Sequence, residues 1–140
     1  MTPFIIKLIE RGCVTTHADY PLVDLIAILA ERRIGTVVVV DRDQQVIGIV
    51  SERDIIRHLS TGGTTAETFA KDIMTSKVIT VENNVTSAQL MHLITKHHIR
   101  HVPITCDGKL VGIVSIGDVV KRLLEKYEQE AELIKQFINS

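Results

Sequence analysis

Apolar residues along the chain follow two spacings, one typical of helices and one of strands. After Pro21, apolar side chains stand three or four positions apart, which predicts a helix with one buried face: Leu22, Leu25, Ile26 and Leu29. Two short β-branched runs follow at residues 37–40 and 46–50 without polar alternation, the pattern of strands covered on both faces. A second helix is predicted over residues 54–59. This part of the chain therefore predicts a pair of strands covered by helices.

The same order of elements recurs in the second half of the chain. The elements predicted there are a helix over 87–97, strands over 102–105 and 110–114, and a helix over 117–124. The segment GIVSERD at 48–54 returns as GIVSIGD at 112–118, an offset of 64 positions, and Ile34 matches Ile99 at an offset of 65. Repeats of this length are duplicated units that bury their faces against each other. The sequence predicts an α/β fold with two pseudo-symmetric halves.

Boundaries and flanking segments follow from the same comparison. We assign a first repeat to residues 1–62, a linker to 63–70, a second repeat to 71–124 and a C-terminal amphipathic helix to 125–140. Residues 5–9 stand 65 positions before residues 70–74, which predicts an equivalent short helix before each set of strands. The final helix carries an apolar stripe: Leu124, Tyr127, Ala131, Ile134 and Ile138. This stripe either packs back on its own domain or forms a symmetric dimer with another chain.

Composition narrows the classes of partner. A chain of 140 residues with 45% apolar content can bury a core, and a net charge of −1 gives no electrostatic footprint for nucleic acid or an anionic membrane. The apolar cluster at 4–6 is interrupted by Lys7, so it predicts neither a signal peptide nor a membrane span. Cys13 and Cys106 occupy unmatched positions in the repeat, which indicates free thiols and a reducing compartment. We expect a cytoplasmic protein.

A serine and an aspartate three positions apart end the second strand of each half, as Ser51 with Asp54 and Ser115 with Asp118. One interpretation is a capping box, in which each side chain satisfies a backbone N–H at the start of a helix. The other is a ligand site, because an aspartate can accept hydrogen bonds from two adjacent hydroxyls of a ribose. The strand before each pair contains a glycine, which weakens a strand unless another group approaches closely: Gly48 and Gly112.

These features together resemble a tandem pair of CBS domains, also called a Bateman module. The pattern of that family is an apolar strand, a glycine, an aliphatic pair and Ser/Thr-x-x-Asp at the start of a helix, with an earlier threonine after the first short strand. Both copies contain every part, and IRHVPI and GIVSIGDVVK resemble small stand-alone bacterial pairs and their mitochondrial relatives in plants. The resemblance implies two CBS repeats (β-α-β-β-α) packed through their sheets, with an extra C-terminal helix.

The resemblance also implies two clefts between the halves, each able to take an adenosine-containing ligand. AMP is the ligand expected first, NAD(H) or ATP are possible, and S-adenosylmethionine is less favoured. The first cleft would use Thr15, Ile34, Gly35, Arg100, His101, Ile113, Ser115 and Asp118. The second cleft would use Thr80, Ile99, Arg100, Gly35, Thr36, Ile49, Ser51, Arg53 and Asp54.

The roles implied in the two clefts are similar, but the charges are not. Aspartates would hold ribose hydroxyls, aliphatic residues would sandwich adenine, and serines and threonines would bind polar edges or phosphate. Arg100 and His101 replace Gly35 and Thr36 of the first copy, so the first cleft has more positive charge for a phosphate. In the second cleft, Arg53 could instead contact a phosphate with two parallel hydrogen bonds. We expect the first cleft to bind a nucleotide first.

The resulting functional prediction is a non-catalytic regulatory module for energy sensing. It would form a flat homodimer and signal nucleotide occupancy to an unidentified regulated protein. No catalytic motif is present, and the spacing of the histidines, including His97 next to His98, does not favour a metal site. Two alternatives stay open: a protein-interaction adaptor whose clefts are structural, and an enzyme that acts on the bound nucleotide.

Overall fold

The computed structural model describes residues 1–140 and contains two three-stranded sheets. In chain order the elements are α1 (Pro3–Arg11), β1 (Thr15–Thr16), α2 (Leu22–Arg32), β2 (Thr36–Val40), β3 (Val46–Ser51), α3 (Glu52–Ser60), α4 (Ala70–Ile73), β4 (Val81–Glu82), α5 (Ser87–His97), β5 (His101–Cys106), β6 (Lys109–Ser115) and α6 (Ile116–Asn139). Each sheet joins a short parallel strand to an antiparallel hairpin, in the orders β1-β2-β3 and β4-β5-β6. The predicted α/β fold of two β-α-β-β-α repeats is confirmed.

The two sheets pack against each other through one face. Val37 and Val39 of β2 lie in the core that α2 covers, whereas Val38 and Val40 point to the opposite face because side chains alternate along a strand. That opposite face is also buried. A hydrogen bond of 3.2 Å joins Thr36 Oγ1 at the start of β2 to Nδ1 of His101 at the start of β5. The halves therefore meet through their sheets, as the resemblance implied.

The helices that precede the repeats pack on the opposite halves. Ile5 and Leu8 of α1 are buried in the core of the second half, together with residues of α5, β5 and β6. Ala70 of α4 is buried in the core of the first half, and its N–H donates to the carbonyl of Tyr20. The two helices are equivalent in the repeat but differ in length, since α1 has nine residues and α4 has four. Each core is completed by a segment from the other repeat.

Helix α6 is one continuous helix of 24 residues that combines the closing helix of the second repeat with the predicted C-terminal helix. Val119 near its start is fully buried, and this end of α6 packs on α5 and β6. Beyond it, the apolar stripe is exposed, with Tyr127 71% and Ile138 72% accessible. The stripe therefore does not pack back on its own domain. None of the helices combines the length and the apolar character that crossing a membrane requires.

Gly48 lies against Met74 at the end of α4, and Gly112 lies against α1; these are the two helices that pack on the opposite halves. The two sites predict different effects of an alanine substitution on stability. A Cβ at Gly48 would collide with the side chain of Met74, whereas a Cβ at Gly112 would lie 3.5 Å from the carbonyl oxygen of Leu8, an ordinary contact. Overpacking costs about 1–3 kcal/mol, so we expect Gly48→Ala to lower the melting temperature by roughly 3–10 °C. Gly112→Ala should be neutral or slightly stabilising, because alanine restricts the unfolded chain.

Calorimetric melting of Gly48→Ala tests this expectation, with the Met74→Ala background as the control. In the Met74→Ala background the obstructing side chain is gone, so Gly48→Ala should cost little there. Equal losses in both backgrounds would show that Met74 is not the reason for the glycine at this position.

Candidate functional site

A cavity of about 820 Å³ lies between the two halves, at the ends of their strands. Its walls come from the end of α1, β1, the end of α2, and the facing ends of β2, β5 and β6. The lining residues are Arg11, Gly12, Cys13, Val14, Thr15, Arg32, Ile34, Gly35, Thr36, His101, Ile113, Ser115 and Asp118. Seven of the eight residues predicted for the first cleft are among them, and the structure thus brings these distant residues together. Arg100 is exposed and does not line the cavity, whereas Thr36, predicted for the second cleft, does.

The Ser115–Asp118 pair is positioned by the junction between β6 and α6. The backbone N–H of Ile116 donates to the carbonyl of Arg100 at 2.8 Å, which ties the start of the helix to the strand beside it. Ser115 N donates to Asp118 Oδ2 at 2.8 Å, and Asp118 N donates to Ser115 Oγ at 3.1 Å. The pair is therefore a capping box. This role uses only Oδ2 of Asp118, and Asp118 is among the residues that line the cavity.

Arg11 holds that carboxylate in a bidentate ion pair. Its two terminal nitrogens donate to Oδ1 and Oδ2 of Asp118 at 2.9 Å each, and one of them also donates to the carbonyl of Ile113 at 3.0 Å. Burial alone would raise the pKa of Asp118, but the hydrogen bonds from Arg11 and Ser115 outweigh it and hold that pKa below its usual value. The carboxylate is therefore ionised at neutral pH and is paired with a guanidinium.

Sequence reasoning missed Arg11 and Arg32, the two arginines of the cavity. The repeat comparison gave no signal for Arg11, because its counterpart 65 positions later is Ser76. A local signal existed, since a basic residue in the last turn of a helix followed by glycine marks a helix end. Gly12 has a φ of 77°, and its N–H donates to the carbonyls of Leu8 and Ile9. Arg11 thus stands where α1 ends against the cavity.

The lining combines three chemical features. Aliphatic side chains of Val14, Ile34 and Ile113 provide apolar walls, two arginines provide positive charge, and Asp118 is the single carboxylate in the lining. Burial raises the pKa of Cys13 to about 11, so its thiol is protonated at neutral pH and is a poor nucleophile. No group of three histidine, cysteine or acidic side chains is placed to hold a metal ion. The arrangement suits a ligand with a flat apolar ring, vicinal hydroxyls and an anionic group.

His101 lies half-buried where the two sheets meet the cavity. Burial lowers its pKa, and Arg100 lowers it further, while Asp118 and Glu52 act in the opposite direction. The ring is therefore neutral at pH 7, and one nitrogen shares a hydrogen bond with Thr36 Oγ1. A neutral imidazole at this position can either accept or donate a hydrogen bond, depending on its tautomer.

The lowered pKa of His101 predicts a dependence of stability on pH. Below a pH of about 6.5, His101 is protonated more readily in the unfolded chain than in the folded protein. The free energy of unfolding should therefore be highest above this pH and should decrease as the pH falls below it. Urea unfolding at pH 7.5 and 5.5 measures the difference. We expect a smaller loss in His101→Gln than in the wild type, because the other five histidines are common to both. Equal losses would mean that His101 makes no net contribution.

The counterpart carboxylate, Asp54, is in a different environment. It forms the same capping box with Ser51, with bonds of 2.8 and 3.2 Å, but it is only 7% exposed. Thr75 Oγ1 donates to Asp54 Oδ1 at 3.3 Å, and the backbones of Thr75 and Ile49 exchange hydrogen bonds of 2.9 and 3.0 Å. The segment after α4 therefore covers Asp54, whereas the longer helix α1 leaves only the Arg11 side chain over Asp118.

The other residues predicted for the second cleft differ in their exposure and surroundings. Thr80 and Arg100 are exposed, and Ile99 packs against the core of the second half. The side chain of Arg53 is exposed and forms no ion pair. Gly35 and Thr36 line the cavity that contains Asp118. The pseudo-symmetry of the sequence therefore does not extend to the surroundings of the two aspartates, because Arg11 contacts Asp118 whereas Thr75 contacts Asp54.

The chain belongs to the CBS domain family, whose sequence profile matches residues 5–61 and 70–125. It contains two CBS domains in tandem, which is the pair that its repeat predicted. The mitochondrial CBS domain-containing protein CBSX3 of Arabidopsis thaliana is 33% identical over an alignment of 131 positions, which covers 90% of this chain and 62% of the plant protein. This chain likewise spans 60% and 62% of the lengths of two further curated relatives.

Solved structures of similar chains support the same fold. The CBS-domain containing protein ATU1752 from Agrobacterium tumefaciens is 37% identical, with a TM-score of 0.75 over 83% of this chain and 95% of that chain. The CBS domain protein PAE2072 from Pyrobaculum aerophilum, solved in complex with AMP, is 30% identical, with a TM-score of 0.73 over 80% of this chain and 86% of that chain.

Proposed function

We propose that this protein is a non-catalytic regulatory module that binds an adenosine-containing nucleotide in the cavity next to Asp118. The observation that carries the proposal is the ionised carboxylate of Asp118, which faces a cavity with aliphatic walls and positive charge. Asp118 would accept hydrogen bonds from both ribose hydroxyls, and Ile34 and Ile113 would enclose the adenine. The AMP complex of a relative with 30% identity supports this ligand class.

AMP is the proposed ligand, and NAD(H) and ATP are the next to test. The phosphate would lie near Arg11, Arg32 and His101, which line the same cavity. A second nucleotide beside Asp54 is a weaker part of the proposal, because Thr75 would have to leave its hydrogen bond to that carboxylate. We therefore propose that the Asp118 cleft fills first and that any second site is of lower affinity.

Regulation would follow from the position of the cavity between the halves. A ligand that contacts both halves stabilises one relative arrangement, and it controls a partner only to the extent that its affinity differs between arrangements. We propose that an unidentified protein reads this arrangement, that the module works as a homodimer, and that it acts in the cytoplasm. Two free cysteines, Cys13 and Cys106, are consistent with a reducing compartment.

Calorimetric titration of AMP into the wild-type protein tests the proposal, followed by analysis of the nucleotide after incubation. Binding without turnover supports a sensor. No heat, together with no thermal stabilisation by AMP, NADH or ATP, would favour the adaptor with structural clefts. Conversion of the nucleotide would favour an enzyme. If the protein is an adaptor, the two Ser–Asp pairs serve only as helix caps.

A further inference from the structure

The exposed stripe of α6 has the spacing of a coiled-coil seam. Its residues stand alternately four and three positions apart over the whole exposed part of the helix: Val120, Leu124, Tyr127, Ala131, Ile134 and Ile138. Five of them are large side chains that are 39–72% accessible, and Leu133 and Phe137 extend the apolar surface at its edge. A spacing that averages 3.5 residues keeps one side of a helix facing a partner helix. Monomeric proteins rarely expose apolar patches of this extent.

We propose that this stripe binds α6 of a second copy of the chain, and that the two helices run parallel. In heptad terms the seam residues occupy the a and d positions, with Leu124 at a and Tyr127 at d. The charged residues that flank the seam are Lys121, Glu128 and Lys135 at e, and Glu130 at g. These flanking residues decide both the choice of partner and the orientation, because e and g side chains lie beside the seam in a dimer.

A parallel pair places opposite charges together. In that arrangement the g residue of one helix lies beside the e residue of the following heptad in the other helix. Glu130 therefore lies beside Lys135 of the second copy, and the two-fold axis repeats this contact on the other side. The Lys135 side chain forms no ion pair within its own chain, so it is available for this contact.

An antiparallel pair places like charges together. The alignment that matches its apolar layers puts Val120 opposite Ile138 and Leu124 opposite Ile134 of the second copy. Residues at e then lie next to residues at e, so Glu128 meets Glu128, and Lys121 meets Lys135. Each of these contacts is repulsive. The same sequence therefore favours the parallel pair through attraction and opposes the antiparallel pair through repulsion.

This dimer would connect the nucleotide site to the interface through one rigid element. Asp118 lies in the first turn of α6, and the seam begins at Val120 in the same helix. A displacement of Asp118 on nucleotide binding would then move the start of the seam at Val120. This connection and the homodimer rest on the proposed function, whereas the location of the interface on α6 is inferred from the exposed stripe itself.

Light scattering during size-exclusion chromatography, across a range of protein concentrations, tests the interface. We expect a dimer for the wild type and a monomer for Ile134→Lys, with a dissociation constant raised at least about 100-fold because an ammonium would be buried in an apolar seam. Ile134 is 60% exposed, so the melting of the monomer should not change. Gln136→Lys, on the outer face at an f position, is the matched control and should remain a dimer.

A charge exchange tests the orientation separately. Glu130→Lys and Lys135→Glu should each weaken the dimer, and the double variant should restore it, because the attractive contact is rebuilt with reversed signs. A wild-type monomer, or an unchanged dimer in Ile134→Lys, would overturn the proposed interface. A double variant weaker than either single variant would overturn the parallel orientation. AMP binding is measured on the same proteins, so a failure of the dimer is distinguished from a failure of the nucleotide site.

Discussion

Replacing Asp118 with alanine is expected to weaken AMP binding by at least about 100-fold. The carboxylate would accept hydrogen bonds from two ribose hydroxyls, and hydrogen bonds to a charged group contribute about 1.5–3 kcal/mol each. The substitution also removes one acceptor of the capping box, which costs about 1 kcal/mol of stability. Calorimetric titration of AMP measures the affinity, and a melting curve shows whether the variant is folded.

Asp54→Ala is the matched control, because Asp54 forms the same capping box in the other repeat. Its carboxylate is buried and accepts from Ser51 and Thr75, so its loss removes the partner of these partly buried donors and should cost about 1–3 kcal/mol of stability. AMP affinity should change little. An equal loss of AMP binding in both variants would contradict a single high-affinity cleft, and no loss in either would leave the pairs as helix caps.

Replacing Arg11 with alanine is expected to change the affinities for adenosine and AMP in opposite directions. Arg11 is bonded to both oxygens of Asp118, so a ribose must exchange with it. Removing this competitor should strengthen adenosine binding by about threefold, because an ion pair with an exposed partner contributes at most about 1 kcal/mol. AMP should bind roughly tenfold more weakly, because the released guanidinium would otherwise contact its phosphate.

The ratio of the two affinities is the informative measurement, since a general disturbance of the cavity would change both in the same direction. Arg32→Ala is the control, because Arg32 lines the cavity without contacting Asp118. It should weaken AMP binding and leave adenosine binding unchanged. If Arg11→Ala weakens both ligands equally, Arg11 supports the cavity but does not exchange between the aspartate and the phosphate.

The elements of the fold could be predicted from the sequence because each carries its own local signal. Helix α5 was predicted over the residues it occupies, and the strand pairs of both halves were located within one or two residues. The repeat made the prediction of each helix and strand more secure, because the same pattern occurs in two copies. The single helix α6 was divided in the prediction, since the end of the repeat was taken as the end of a helix. Nothing in the local sequence stops the helix there.

The candidate site was only partly predictable, because its asymmetry comes from segments outside the matched motifs. The two Ser–Asp pairs have the same sequence pattern and the same capping geometry. The two pairs differ in the segment that packs over each aspartate. Helix α1 remains helical to Arg11, whereas α4 ends at Ile73 and Thr75 pairs with Ile49 of β3. Such tertiary contacts have no counterpart in a comparison of aligned positions.

Because α1 and α4 each pack on the other half, the repeated segment of sequence is not the same as the segment that forms a complete core. The first family match begins at residue 5 and so includes most of α1, yet Ile5 and Leu8 complete the core of the other half. Cutting the chain between the repeats would keep each inherited segment intact and leave both cores incomplete. An ancestral single repeat of this design would have been complete only as two copies, each lending its first helix to the other. Duplication of such a repeat would make this association permanent within one chain.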